Sequence, residues 1–186
     1  MMKMKPSTLI ALAVSAGLFS GAASAITGTS SVKATFTSTI EAGTCTAQIQ
    51  DASGKVITTL PFGDVYKSDL TAKSRSEPFK IAFSGCAGVK SATVKAQKGT
   101  GGKCSGTTPG DSFDAGNATA FEVWKGTAGS GTLLSCNTPA NQNVTISSGA
   151  AKLDLAARIV IAKDKVIGDV TTGNVSAPVT FVVTYQ

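Results

Sequence analysis

The sequence has 186 residues, with 17 Lys and Arg against 11 Asp and Glu, four Cys and no His, and its net charge is +6. The absence of histidine excludes Ser-His-Asp and Cys-His catalytic sites and removes the commonest zinc ligand. The basic residues are spread along the chain rather than clustered, so the sequence does not indicate a nucleic-acid-binding surface.

The first 25 residues have the composition of a secretory signal peptide. The basic run Met1–Lys5 precedes small and apolar residues from Leu9 to Phe19, and Ala23-Ser24-Ala25 provides a small-residue cleavage site. The apolar stretch is too short and too rich in Ala, Gly and Ser to span a bilayer about 30 Å thick. We therefore predict a signal peptide over residues 1–25 and export of the remaining 161 residues, enough for one domain.

Beyond that segment, apolar and polar residues alternate with a period of two, as in half-buried β-strands. Clusters rich in Gly, Ser and Asp separate the alternating segments and predict turns. Strands are predicted, in chain order, at residues 35–40, 56–60, 79–83, 92–96, 121–124, 144–146, 153–161 and 175–185. Residues 99–116 are predicted to form a long loop, and Trp124 is expected in the core. Many short strands joined by turns predict an all-β sandwich.

Four cysteines in an exported chain predict two disulfide bonds, because the chain reaches an oxidising compartment. Cys45, Cys86, Cys104 and Cys136 allow three pairings, and the residues alone do not select among them. A structural metal site is the alternative, but no Cys-x-x-Cys pair accompanies these residues. We predict no metal ion, no cofactor and no catalytic residue.

Both ends of the exported chain have alternating residues and no hairpin partner. At the C-terminus, one face carries Ala177, Val179, Phe181, Val183 and Tyr185. At the N-terminus, the residues of one parity are Ile26, Gly28, Ser30, Val32 and Ala34. An unpaired strand at each end would normally favour edge-to-edge aggregation.

These residues resemble the pilin subunits of chaperone–usher (type 1-like) fimbriae. The assembly motif of that family is similar to the C-terminal pattern, with its alternating apolar strand, the penultimate Tyr185, and Gly173 as the fourteenth residue from the end. The spacing of the first cysteines is also similar, because Cys45 follows Phe36 by 9 residues and precedes Cys86 by 41. The resemblance covers the whole chain after the signal peptide.

The resemblance implies an incomplete immunoglobulin-like β-sandwich that is completed by a strand donated from a neighbouring subunit. Residues 26–35 would be the donor-strand extension and residues 36–186 the pilin domain. The acceptor groove would lie between the strand after Phe36 and residues 175–185. The donor residues that enter the neighbour would be Ile26, Gly28, Ser30, Val32 and Ala34. The residues of the acceptor groove and of chaperone recognition would be Gly173, Ala177, Val179, Phe181, Val183 and Tyr185.

The resemblance also implies partners and a location. The partners would be a periplasmic chaperone, an outer-membrane usher and neighbouring pilin subunits, and the chain would pass through the periplasm to a cell-surface fimbrium. Its function would be structural and would contribute to cell adhesion, without catalysis.

Two alternatives stay open at this point. Cys104 and Cys136 are not part of the usual pilin pattern, and one alternative is an adhesive or adapter minor subunit that binds a host receptor or sugar through the Cys104–Cys136 region. The other alternative is an ordinary secreted sandwich whose first and last strands pair within one chain.

Overall fold

A computed structural model describes residues 34–38, 43–106 and 111–186. The strands are β1 (Thr44–Asp51), β2 (Ser76–Ala87), β3 (Ser91–Lys98), β4 (Phe113–Gly116), β5 (Thr119–Lys125), β6 (Thr132–Leu133), β7 (Gln142–Thr145), β8 (Ala151–Ile161) and β9 (Val179–Tyr185). One α-helix, α1 (Lys67–Ala72), and one 3-10 helix (Ile167–Asp169) accompany them. Among the described residues, no helix combines the length and the apolar character that crossing a bilayer requires.

The strands form two antiparallel sheets that enclose a common core. The larger sheet has the order β1-β2-β8-β5-β4, with β6 also paired to β5, and the smaller sheet has the order β7-β3-β9. The core contains inward residues of both sheets, including Phe79, Ile81 and Phe83 of β2, Val94 of β3 and Leu155 of β8. The predicted all-β sandwich is therefore confirmed.

Residues 34–38 belong to a unit separate from the domain that covers Ile40–Gln186. None of these five residues lies in a helix or strand, and all five are exposed. The part of the strand predicted at 35–40 that the structure describes is therefore not a strand.

Three other predictions from the sequence were wrong in detail. Residues 56–60 do not form a strand, because Val56 makes only one bridge, to Gln50, and Pro61 follows without an N–H to donate. The last strand begins at Val179, directly after Pro178, rather than at residue 175. The loop predicted over residues 99–116 contains β4, whose Phe113 is fully buried.

Four further elements were not predicted, namely β1, α1, the two-residue β6 and the 3-10 helix. The strand β1 alternates Cys45, Ala47 and Ile49 with polar residues, so its sequence has the period of two that is typical of a half-buried strand. The helix α1 has six residues, too few to show a helical period. Its first turn is fixed by Asp69, whose carboxylate accepts a hydrogen bond of 2.9 Å from the Tyr66 N–H.

Two disulfide bonds join the cysteines. Cys45 is bonded to Cys86 with a Cα–Cα distance of 4.1 Å and connects β1 to β2. Cys104 is bonded to Cys136 with a Cα–Cα distance of 5.5 Å. Of the three pairings that the sequence left open, the structure thus contains the sequential one.

Trp124 is not in the core, contrary to the prediction. It is half-buried on the outer face of the larger sheet, since its neighbour Val123 points into the core. Its Nε1–H donates to Glu122 Oε2 at 3.0 Å, and the same oxygen accepts from Arg158 Nη2 at 2.7 Å. The Arg158 guanidinium lies 5.2 Å from the centre of the Trp124 ring, which adds a cation–π contact.

We expect Glu122→Gln to lower the free energy of unfolding by roughly 3 kcal/mol, because Arg158 would lose its charged partner at a nearly buried site. The two side chains are only 15% and 13% exposed. The matched control is Asp154→Asn, which removes an ion pair to Lys152 whose side chains are 60% and 66% exposed. That change should cost less than about 1 kcal/mol. Urea unfolding of the two variants measures the difference, and equal losses would contradict the role of the Glu122–Arg158 pair.

Candidate functional site

The core is open along the strand β9. The inward side chains of the adjacent β3, Ala92, Val94 and Ala96, are 0%, 0% and 2% exposed. By contrast, every inward side chain from Ala177 to Tyr185 is only half-buried, although all pack against the same core. Apolar side chains that face a core and stay partly exposed gain stability when another apolar surface covers them. Among the residues that the structure describes, no element covers the inner face of β9.

The strand β1, at the edge of the larger sheet, also has inward side chains that are only half-buried. The inward residues of β1, Cys45, Ala47 and Ile49, are half-buried and pack against the core. Their neighbours in β2, such as Ile81 and Phe83, are both 2% exposed. The incomplete part of the core thus lies between the two edge strands.

The outer edge of β9 has free main-chain hydrogen-bonding groups. Within the described part of the chain, β9 pairs only with β3, in a register that runs from Ala92 opposite Tyr185 to Lys98 opposite Val179. Seven residues of strand present an edge about 23 Å long. Unpaired N–H and C=O groups beside exposed apolar side chains form a template for an additional extended strand.

A tight turn partly covers the edge of β1. Ile57 N–H donates to the Ile49 carbonyl at 3.0 Å. The turn before it is held by the Asp51 carboxylate, which accepts from the Ser53 hydroxyl at 2.6 Å and from the Lys55 N–H at 3.0 Å. The Ser53 hydroxyl above all, and then the main-chain donors, lower the pKa of Asp51. This turn brings the chain back beside β1, with Ile57 next to Ile49.

A groove of about 680 Å³ occupies the space between β9 and this segment. Its most buried lining residues, Phe79, Val123 and Ala157, come from the larger sheet. Its sides are formed by residues 57–60 with Phe62, and by residues 175–181. None of the described residues that line the groove is ionisable. Such a lining suits an uncharged, apolar occupant and offers no group for acid–base catalysis.

The predicted acceptor residues lie at three kinds of position. Ala177, Val179 and Phe181 line the groove, and the Phe181 ring lies 5.9 Å from the Phe79 ring. Val183 and Tyr185 lie on the same face of β9 and pack against the core, beyond the groove lining. Gly173 is exposed and lies outside the lining. Its φ of +139° and the Asn117 side-chain nitrogen, 3.1 Å from where a Cβ would lie, both oppose a larger residue there.

Most of the predicted donor residues lie outside the described residues. These are Ile26, Gly28, Ser30 and Val32. Ala34 is described and exposed. Phe36, which has the same parity, is 94% exposed, the largest exposure among the large hydrophobic side chains of the described residues.

The sequence predicted that the strand after Phe36 forms the side of the groove opposite β9. The first described strand after Phe36, β1, contributes Ile49 to the lining, but most of that side is the segment after β1. It includes Leu60 and Phe62, and the Phe62 ring lies 4.9 Å from the Phe121 ring of β5. Their apolar spacing around Pro61 is visible in the sequence, but the predicted strand covered only residues 56–60 and left out Phe62. Proline at this position explains why the segment lines the groove without joining a sheet.

Comparisons with known proteins agree with one another. A family model described as "Fimbrial protein" matches residues 34–186. The uncharacterized fimbrial-like protein YadL of Escherichia coli (strain K12) is 41% identical over 172 residues, which cover 85% of this chain and 86% of that protein.

Two solved structures are also similar. One is a chain of a chaperone–usher pilus, from a structure that concerns the molecular basis of rod uncoiling. Its TM-score is 0.54, and it is 23% identical over 84% of this chain and 96% of that one. The other is the P pilus rod subunit PapA, with a TM-score of 0.48 and 23% identity over 75% of this chain and 99% of that one.

Proposed function

The chain belongs to the fimbrial protein family, and on this basis we propose that it is a structural subunit of a chaperone–usher pilus that assembles by donor-strand exchange. In this mechanism, a strand from the next subunit fills the groove beside β9. A groove without ionisable groups supports a structural function rather than catalysis.

One observation carries the proposal: β9 combines half-exposed inward side chains with an edge to which no described strand pairs. Either property alone has an ordinary explanation, since edge strands are common and many apolar side chains are partly exposed. Together, at the opening of the main core, they support the proposal that one more apolar strand is added beside β9. The resemblance to pilins predicts the same additional strand.

The donor is the N-terminal segment of another copy or of a related subunit. Residues 26–35 form the donor, and their inward residues Ile26, Val32 and Ala34 are apolar. Phe36, the residue that follows the donor, is also exposed. Each main-chain hydrogen bond that such a strand forms with β9 would contribute about 0.5–1.5 kcal/mol.

Before assembly, the same groove needs a temporary occupant, since an open core and unpaired strand edge favour aggregation. A periplasmic chaperone would supply it, with β9 and Tyr185 as its contact, and an outer-membrane usher would exchange it for the donor. The signal peptide over residues 1–25 would direct the chain to that compartment, and residues 36–186 would form the pilin domain at the cell surface.

Co-expression with the chaperone of its own fimbrial system tests the proposal. We expect a one-to-one complex with the chaperone during purification, and fibres in electron micrographs when the usher is also present. Deletion of residues 26–35 should leave the chaperone complex unchanged and abolish the fibres, because the groove stays intact while the donor is lost. A full-length chain that folds alone as a stable monomer, with its own residues 26–35 paired to β9, would overturn the proposal.

A further inference from the structure

The segment before β9 forms one rim of the groove and is held by three hydrogen bonds. We call residues 173–178 the rim segment, of which residues 175–178 line the groove. The Asn117 side-chain nitrogen donates to the Asn174 carbonyl at 3.5 Å. Ser176 N–H donates to the Ala115 carbonyl at 3.2 Å. Gly99 N–H donates to the Pro178 carbonyl at 2.8 Å.

The rim segment therefore rests on two supports. One is the end of β4 with the turn after it, residues 115–117. The other is the turn after β3, residues 99–102, which is closed by a hydrogen bond of 2.9 Å from Gly102 N–H to the Gly99 carbonyl. This second support packs tightly on Pro178, because a Cβ at Gly102 would lie 3.0 Å from the Pro178 carbonyl oxygen and 3.2 Å from its Cγ.

The two supports are joined to each other beside Cys104. Asp114 N–H donates to the Lys103 carbonyl at 2.9 Å, and Cys104 forms a bridge with Phe113. Cys104 is bonded to Cys136, which is 4% exposed and whose N–H donates to the Asp111 carbonyl at 3.1 Å. The disulfide thus fixes the place where the turn after β3 meets β4.

We infer that the Cys104–Cys136 disulfide is a positioning element for the acceptor groove: it holds both supports of the rim segment, and so sets the shape of the groove at the end where Ala177 and Pro178 lie. Neither cysteine lines the groove, so the disulfide acts through the supports. The inference rests on the proposed function, since it concerns how the groove retains a donated strand. It also gives a role to the cysteine pair that the resemblance to pilins left unexplained.

The test measures the release of a donor peptide from the groove. A fluorescent peptide with the sequence of residues 26–38 is exchanged into the chaperone-bound chain, and its dissociation rate is compared between the natural chain and the double variant Cys104→Ser with Cys136→Ser. We expect the variant to be captured by the chaperone and to release the peptide about 3- to 30-fold faster, the range expected for coupling between sites that do not touch.

Two truncated peptides separate a local effect on the rim from general destabilisation. One lacks the first four residues of the donor and the other lacks the last four. The truncated peptide that still reaches the rim segment should dissociate faster from the double variant than from the natural chain. The other truncated peptide should dissociate from the double variant and from the natural chain at the same rate. Faster release of both truncated peptides in equal measure would overturn the positioning role.

A second pair of variants leaves the disulfide intact and tests the positioning of the rim segment even if the double variant does not fold. Gly102→Ala places a Cβ against Pro178 and should accelerate release of the full peptide as the double variant does. Gly101→Asn, in the same turn, has no atom within 4 Å of the Cβ position, and Asn tolerates its φ of +75°, so its release rate should be unchanged. Equal rates for Gly102→Ala and the natural chain would contradict the inference. Failure of the natural chain to take up any peptide would instead contradict the proposed function.

Discussion

Phe181→Asp is expected to abolish recovery of the folded chain from the periplasm. Phe181 lines the groove, lies beside Phe79 and packs against the main core. Truncating a core Phe alone costs about 3–5 kcal/mol, and a carboxylate facing the same core adds a desolvation penalty. Because a domain has a total stability of only about 5–15 kcal/mol, the variant should be degraded before assembly. Immunoblots of periplasmic extracts, with and without co-expressed chaperone, measure the loss.

Val182→Asp is the matched control for this prediction. It introduces the same carboxylate one residue away, on the outer face of β9, where Val182 is 40% exposed. Its cross-strand neighbour on β3 is Lys95, so the new charge would find an opposite charge. Recovery of Val182→Asp should therefore match that of the natural chain. Tyr185→Ser, on the inner face, should reduce recovery as Phe181→Asp does. Normal recovery of Phe181→Asp would mean that β9 does not form the acceptor groove.

Val32→Asp is expected to block polymerisation while capture by the chaperone stays intact. Val32 is one of the two largest apolar residues among the predicted inward positions 26–34 of the donor. An aspartate there would have to enter an apolar groove whose described lining offers no positive charge. Under the proposed function the chaperone would contact the groove of the same subunit rather than its donor, so capture should not change. Co-purification and electron microscopy of the surface fibres test the two halves of the prediction separately.

Ser31→Asp is the control for the parity of the donor. It places the carboxylate at the adjacent residue, which faces away from the groove when Val32 faces into it. Fibres should form with Ser31→Asp and not with Val32→Asp. If Ser31→Asp blocks assembly and Val32→Asp permits it, the donor lies in the groove with the opposite set of residues inward.

The sequence predicted the parts of the fold whose signal lies within a single strand. The alternation of Leu153, Leu155 and Ala157 is enough to identify β8 and its inward face, because a half-buried strand carries the period of two in its own residues. The C-terminal strand was recognised in the same way, and the structure confirms an alternation of half-buried and exposed residues from Val179 to Tyr185. The family resemblance rested on these local patterns and on the cysteine spacing.

The parts that were missed depend on contacts between distant residues. Leu60 and Phe62 line the groove only because the chain after β1 turns back beside Ile49, and no periodic pattern encodes that turn. The same is true of the hydrogen bond between Ser176 and Ala115, which joins residues far apart in the chain. The pairing of Cys104 with Cys136 was left open for the same reason, since spacing alone permits three connectivities.

The inward side chains of β9 pack directly against the main core of the domain, and this contact determines how a joint between subunits built there would fail. If a donated strand beside β9 completes that core, as proposed, it can leave only when the core opens. Its rate of dissociation would then follow the rate of unfolding of the acceptor and not the strength of an ordinary surface contact. For small domains this rate can be as low as about 10⁻⁶ per second, which corresponds to lifetimes of days. A fibre made of such joints would resist tension through the height of an unfolding barrier at every junction, without any covalent bond between its subunits.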